Sequence, residues 1–434
     1  MWLCLLTTAP AFAQSPGTVA TTIGQSVVVL GGPWQFKAGD EPSWSDPALD
    51  DSKWERIDLS AAADAHDSDV GLTGYTRGWA ARGHPGYSGY AWYRMHLKVS
   101  MPVPQPLAIA GPAAVDDAYQ LFVNGRLLGG GGVFSGNVPS ARSMQPRYFP
   151  LSMTDLRGEE GPLVIAVRVW MDARSLADPE GGGIHIVPAI GTADAVRGHV
   201  RLQWDQTIRG YAVDLVEPVL FAFLAALALT LRVLHRGHHG YTWMVAALAL
   251  TAAVRFNQIV YAWGQIETTF AYNTLRYALL EPLGLGAWVM AWAEWFALRP
   301  GVRSRRVIIL LMIIAAALSL IQNSLVFAGA SVAWHAALET TMHAVKLGFL
   351  GLLAWLTIRG WRGGDAWEWV SVCAIVLLAT GLFAAELSAI GVPGIWFPFG
   401  TGVSRTQYAY AALIVVLYLL LQHRFPGAAD ASRS

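Results

Sequence analysis

The chain is poor in charge. Lys, Arg, Asp and Glu together make up 14% of its 434 residues, where a soluble domain carries about 25%. Thirty basic residues face thirty acidic ones, so there is no cationic excess of the kind that draws nucleic acid, and that partner class is excluded. Cysteine is nearly absent. Cys4 stands near the start and Cys373 in an apolar run, which leaves neither a disulfide framework nor a thiolate cluster. Catalytic signatures are missing too. There is no G-x-S-x-G, and Gly129 to Gly132 leads into no G-K-[ST] or G-x-G-x-x-G, so it reads as a flexible loop. The one H-x-x-x-H pair, His235 and His239, falls in a Gly-containing loop rather than on a helix, which argues against zinc. Neither a cofactor nor a metal is expected.

What the chain has in abundance is apolar surface, 54% of its residues, and most of it lies in the second half. The first residues, MWLCLLTTAPAFAQS, combine a short apolar run with Ala11-Phe12-Ala13 as a cleavage site, so 1–13 reads as a signal peptide that exports the adjoining N-terminal domain, although no Lys or Arg precedes the run.

From 25 to 200 the pattern is that of short strands broken by Gly, Pro, Asp and Asn. In GYSGYAWYRMHLKV, Ala91, Tyr93, Met95, Leu97 and Val99 alternate with Trp92, Arg94, His96 and Lys98, which predicts a strand burying the first set and exposing the second. Trp34 to Lys37, Tyr119 to Val123, Arg126 to Leu128 and Leu163 to Trp170 read as further strands, and Asn124-Gly125 as the type I′ turn of a hairpin. Trp34, Trp54 and Tyr93 are candidate core aromatics. Asp116-Asp117 offers two carboxylates to calcium, or is a solvated turn pair.

The D-D-S-x-W turn at Asp50 to Trp54, the W-Y-R of Trp92 to Arg94, the V-N-G of Val123 to Gly125 and the V-I-A-V-R-V of Val164 to Val169 follow one another in an order that resembles the galactose-binding-like jelly roll serving family 2 glycoside hydrolases as sugar-binding domain. The resemblance implies an all-β ectodomain and a carbohydrate or other polyhydroxylated ligand. In those hydrolases the chemistry resides in a separate barrel with paired carboxylates, and no length or βα alternation for it exists here, so the chain is not expected to be an enzyme. A loop rich in Gly, Trp, Tyr, Arg and His offers Trp79, Arg82, His84 and Tyr87 as ligand-binding candidates, with a ring face for stacking and polar groups for hydroxyls. A structural role for the same aromatics is the competing reading.

From 211 to 421 the runs lengthen to the roughly 20 residues a bilayer requires. Seven are expected, at 211–234, 241–261, 274–298, 307–327, 334–358, 367–390 and 407–421, followed by a short tail at 422–434. Arg232, Arg236, Arg299, Arg303, Arg305, Arg306, Arg359, Arg362, Arg424 and Arg433 all lie at or after the ends of odd-numbered spans, while the opposite loops carry only Arg405. The positive-inside rule therefore places the N-terminal domain outside and the C-terminus in the cytoplasm of a bacterial inner membrane. A secreted jelly roll leading into an all-α seven-helix bundle resembles the bacterial seven-transmembrane receptors with diverse intracellular signalling modules. That resemblance implies signal transduction to a cytoplasmic partner or to an output domain beyond Ser434, because the tail is too short to be one.

Ionisable side chains inside such spans are costly and informative. Asp214, Glu217, Arg255, Arg276, Glu281, Glu339, His343, Lys346 and Glu386 all fall in the outer half or near the midplane, with Glu339, His343 and Lys346 on one helix face at i, i+4 and i+7. Two readings stand. Arg255, Arg276 and Lys346 neutralise Glu281, Glu339 and Glu386 to fix packing, or the cluster forms a polar chamber open to the outside that binds a small ligand or reads the position of the β-module. The expected function is a sensor; the alternative is an intramembrane enzyme or transporter whose jelly roll recruits substrate. Gly284 and Gly286 are expected to permit close helix approach.

Overall fold

The computed structural model describes residues 18–67, 70–102, 105–134, 139, 145–152, 155, 162–173, 180–234, 241–261, 268–298, 301–324, 331–362, 365–392 and 405–423. The expected signal peptide, the tail from 424 and, among the connecting arginines, Arg236 and Arg299 lie outside these residues.

The N-terminal part is built from β-strands. One sheet runs β4(Glu55–Ile57), β3(Trp34–Ala38), β5(Gly89–Ser100), β11(Leu163–Met171), β8(Ala118–Val123), β9(Arg126–Gly131), with β1(Thr18–Thr22) pairing in parallel with β5. A second runs β10(Tyr148–Pro150), β6(Leu107–Ala110), β13(Ala189–Thr192), β2(Val28–Val29), and β12(Gly183–Ile186) pairs with β7(Ala114–Asp116). The two larger sheets share one core: Phe36, Tyr93, Met95, Leu97, Ile165 and Val167 of the first meet Leu107, Ile109, Phe149 and Ile190 of the second. Each predicted strand is present. Asn124 and Gly125 take positive φ, 46° and 80°, as a type I′ turn demands, and Val123 faces Arg126 across it.

The sheet starts at Thr18, before the expected boundary at 25, and a helix crosses the expected boundary at 200. This helix, α1(Ala193–Gly210), is capped by Thr192, whose hydroxyl accepts the Ala195 N–H. Its Val196 and Val200 pack on Ala108, Ala110 and Ala189, so both faces of the small sheet are buried and the outer one uses small side chains to let the helix close.

The alternation predicted for β5 holds on one face only. Trp92 and Arg94, expected outward, are 1% and 0% exposed, because the segment from Asp40 to Trp54 folds over them. Asp51 accepts from Arg94 Nε at 2.7 Å and from His96 Nε2 at 2.8 Å, Trp44 packs edge-on against Trp92, and Lys37 lies 4.5 Å above the Trp44 ring. Trp34 and Tyr93 are core as expected, whereas Trp54 is half-buried against Trp44.

The C-terminal part is helical: α2(Ala212–Leu234), α3(Thr242–Ile259), α4(Thr269–Asn273), a π-helical turn (Thr274–Leu280), α5(Glu281–Trp295), α6(Val302–Asn323), α7(Val332–Gly360), α8(Ala366–Leu382), α9(Ala384–Ala389) and α10(Arg405–His423). Among the described residues four helices are long and apolar enough to cross a membrane: Ala193–Leu234, in which α2 continues α1, then Val302–Asn323, Ala333–Gly360 and Thr406–His423. The other three expected spans are helical but less apolar or interrupted. α3 matches Thr406–His423 in length at 18 residues but is less apolar, the third span is split by the π turn, and the sixth breaks at Phe383 between α8 and α9. One core of apolar side chains, including Phe221, Trp288, Trp292, Phe349 and Leu413, joins these helices. Gly286 permits the close approach expected of it: a Cβ there would stand 2.3 Å from the Met312 sulfur on α6.

Burial pushes the Asp51 carboxyl up, yet the hydrogen bonds from His96 and Arg94 outweigh it and hold the group below its usual range. The contribution of Asp51 is thus fully present above about pH 4, the unfolded value, and is lost as pH falls through the lower folded value. In the segment 18–210, Asp51→Asn should cost about 3 kcal/mol by stranding a buried guanidinium and should flatten the acid limb of thermal stability followed by tryptophan fluorescence. An unchanged melting profile refutes this role, and a wild-type segment without a cooperative transition refutes an independently folding β-part.

Candidate functional site

The loop candidates from the sequence do not converge on one open site, although Arg82 borders an open pocket of about 480 Å³ with Tyr75, Thr76, Arg77 and Glu180. Trp79 is 0% exposed. Its Nε1 donates to the Tyr87 carbonyl at 3.1 Å, and its ring packs on Phe36 and Tyr87, so the expected stacking face is core. Its burial has a backbone cause: Gly182 and Gly183 run against the indole, where a Cβ on Gly182 would lie 2.3 Å from Nε1. Arg82 donates to the carbonyls of Arg77 and Asp58 and to the Thr76 hydroxyl. His84 pairs with Glu55 at 2.7 Å, and the Tyr87 hydroxyl accepts from Gly39 N–H while donating to the Tyr90 carbonyl. Each polar group predicted to reach for hydroxyls is engaged in holding the loop.

The charged helix residues fall into two networks rather than one. In the first, Arg255 on α3 stands 3.2 Å from Glu217 and 3.9 Å from Asp214, both on α2, with its guanidinium 4.6 Å above the Tyr410 ring of α10 and with Gln407 donating to Asp214. In the second, Lys346 on α7 lies 2.7 Å from Glu281 on α5 and 3.8 Å from Glu386 on α9, and His343 holds Glu386 at 2.9 Å and Glu339 at 3.8 Å. Arg276 joins neither ion-pair set: it donates to Gln258 Oε1 and to the Tyr272 hydroxyl and lies over the Tyr277 ring. The pairing of Arg255 and Arg276 with Glu281, Glu339 and Glu386 is therefore corrected. The residues nearest in space are set by helix order, which the sequence does not display.

The second network borders a cavity of about 310 Å³. The π turn brings Asn273, Tyr277, Glu281 and Leu285 to it at steps of four; such turns are frequent at functional sites. α6 supplies Ser319, Gln322 and Asn323, and α7 supplies Glu339, His343 and Lys346. The remaining wall comes from the β-part. Asp117 follows β7 and Asp172 follows β11, and the Asp172 N–H donates to Asp117 Oδ2 at 2.8 Å. The neighbouring Asp116 is no solvated turn residue. Burial alone would raise its carboxyl, but His185 and the Gly182 N–H, both at 2.9 Å, hold it below its usual range. Among the described residues no group of His, Cys, Asp and Glu has the arrangement of a metal site.

Sequence reading singled out Glu281, Glu339, His343 and Lys346 of the helical floor and named Asp117 of the other wall as a calcium candidate, but missed Asp172 and the neutral floor residues Asn273, Tyr277, Gln322 and Asn323. Asp172 sits at the end of an otherwise apolar strand without any motif, and only the register of β11 against β8 carries it to the side of Asp117.

No family model matches the chain, and no curated protein matches it. Among solved structures, the chain is similar to Bacteroides uniformis beta-glucuronidase 2 covalently bound to cyclophellitol-6-carboxylate aziridine, at 22% identity over 38% of this chain and 17% of that one, with a TM-score of 0.25. It is similar to a beta-glycosidase from Bacteroides vulgatus at 19% identity over 38% and 20%, TM-score 0.24, and to Parabacteroides merdae beta-glucuronidase at 14% identity over 38% and 21%, TM-score 0.27. The chain thus spans about a fifth of the length of the structures it matches.

Lys346 is the cation between two carboxylates. Lys346→Met should lower the thermal stability of the full chain in nanodiscs by about 3 kcal/mol, and adding Glu281→Gln should recover part of the loss because one stranded charge is removed. A double variant no better than the single one refutes the pairing as the cause.

Proposed function

We propose that the chain is a sensor of the bacterial inner membrane, with a galactose-binding-like jelly roll outside, seven transmembrane helices, and a cytoplasmic C-terminus that addresses a separate signalling protein or an output domain. The observation that carries this reading is the shared cavity: its walls come from the β-part, through Asp117 and Asp172, and from three helical segments. A ligand in it touches both parts, and a ligand that touches both biases how they sit against each other. A second route runs through α1, which is packed on the small sheet and separated from α2 by Tyr211 alone. The order and spacing of the strand motifs support a carbohydrate-like ligand class, with the cavity rather than the Trp79 loop as its place. Binding rather than catalysis is favoured because the charged groups of the floor are tied to one another by ion pairs.

The topology reading expects cytoplasmic signals from reporter fusions after Gly237, Arg303, Gly360 and Phe425, and external signals after Gln265, Ala330 and Pro393. One reversed reporter inside the series means a miscounted span. Coupling is tested without a ligand. Asp172→Cys and Gln322→Cys, in a background with Cys4 and Cys373 replaced by Ser, are bridged by a short bis-maleimide in the full chain in nanodiscs. Hydrogen exchange should change at the far helix ends near Phe296 and Gly360 as well as at the bridged wall. A change confined to the bridged wall overturns the sensor reading.

A further inference from the structure

The cavity between the β-part and the helices has a surplus of acceptors. Four of its lining side chains are carboxylates, Asp117, Asp172, Glu281 and Glu339, against the single ammonium of Lys346, which Glu281 Oε1 accepts. An ionised carboxylate only accepts hydrogen bonds, so a cavity lined in this way favours a guest that brings N–H or O–H groups. Charge leans in the same direction. Lys346 is compensated twice, by Glu281 and Glu386, whereas Glu339 has the imidazole of His343 beside it at 3.8 Å. Tyr277 adds a ring whose face already attracts cations, with Arg276 at 4.9 Å and Lys346 at 6.0 Å from its centroid. Asn273, Gln322 and Asn323 supply neutral groups able both to donate and to accept, as hydroxyls require. The volume of about 310 Å³ accommodates a single sugar-sized molecule.

We propose that this cavity binds a small hydroxylated organic cation, a protonated amino sugar or an aminated polyol, with its ammonium at Glu339, Glu281 and the Tyr277 ring and its hydroxyls at Asn273, Gln322 and Asn323. The inference rests on the sensor reading for its place in the molecule and adds the ligand's charge to that reading. An ammonium contributes three donors and a positive charge to a wall rich in carboxylates, whereas a neutral sugar contributes only the hydroxyl contacts.

The test uses glucosamine, glucose and N-acetylglucosamine, which differ at one carbon by amino, hydroxyl and acetamido groups. Each is titrated by calorimetry onto the full chain in phosphatidylcholine nanodiscs at pH 6, where the amine carries its proton. Glucosamine should bind about tenfold tighter than the other two, the size of one charge-assisted hydrogen bond. Glu339→Gln, at a position 45% exposed and so tolerant of substitution, should erase most of that difference. Equal binding of all three sugars overturns the cationic ligand while leaving a carbohydrate sensor standing. Binding of none overturns the inference, and the sensor reading is then decided by the cross-linking experiment. The sugar series on the unaltered chain is decisive even where the variant does not fold.

Discussion

An ionised side chain inside an apolar layer must have a partner, because an uncompensated charge there costs about 3 kcal/mol at the least. Lys346 meets this constraint by standing between Glu281 and Glu386, and in doing so it joins α5, α7 and α9 at one level. The rest of the helical architecture is consistent with keeping that junction. The π turn before α5 brings Glu281 into line with Asn273 and Tyr277 on the cavity side, and the break at Phe383 sets α9 apart from α8, so that Glu386 reaches His343 and Lys346. Two irregularities that weaken the expected spans as uninterrupted helices are the ones that bring carboxylates to the cation.

The same rule operates in the β-part. Arg94 is fully buried on a strand face that alternation assigns to solvent, and Asp51 accompanies it at 2.7 Å. The segment bearing Asp51 covers Trp92 as well, so what looks like an exposed face of a soluble module is a second, small core built around an ion pair. Buried pairs of this kind contribute little net stability but strongly disfavour arrangements that separate them. They act as registers, one fixing the 40–54 segment on β5 and the other fixing three helices.

The parts that were legible in the sequence are those governed by local physics. Period-2 alternation, the Asn124-Gly125 turn and apolar run length each depend on a few consecutive residues: the strands and the turn are present, and four of the seven expected spans are helices long and apolar enough to cross a membrane. What was illegible depended on long-range coverage. Nothing near Trp92 or Trp79 in the chain announces that residues 40–54 or Gly182 and Gly183 will lie against them. The candidate loop of Trp79, Arg82, His84 and Tyr87 had the composition of a binding surface because a tightly hydrogen-bonded structural loop needs the same groups. The charges on the apolar helices were legible, since ionisable residues in apolar runs stand out. Their partners were not, since pairing follows helix neighbourhood. Asp172 was invisible for both reasons at once.

For the proposed sensor, the cavity's position matters more than its size. A site wholly within the β-part would report occupancy only if the sheets deformed, and close-packed sheets with a shared core resist deformation. A site wholly within the helices would leave the β-part idle. At the boundary, each wall alone is half of the cavity, and in the proposed reading a guest would touch both. Its binding free energy then depends on the distance between Asp172 and the face of α7 that carries Glu339 and His343. By linkage, that distance depends on occupancy in turn. The network behind the wall makes the dependence consequential. His343 and Lys346 contact the guest's cavity on one side and Glu386 on the other, so a displacement of α7 at the cavity changes the geometry of the ion pairs that hold α9 and α5. The charges that fix the helices in place are thus the ones a guest can address.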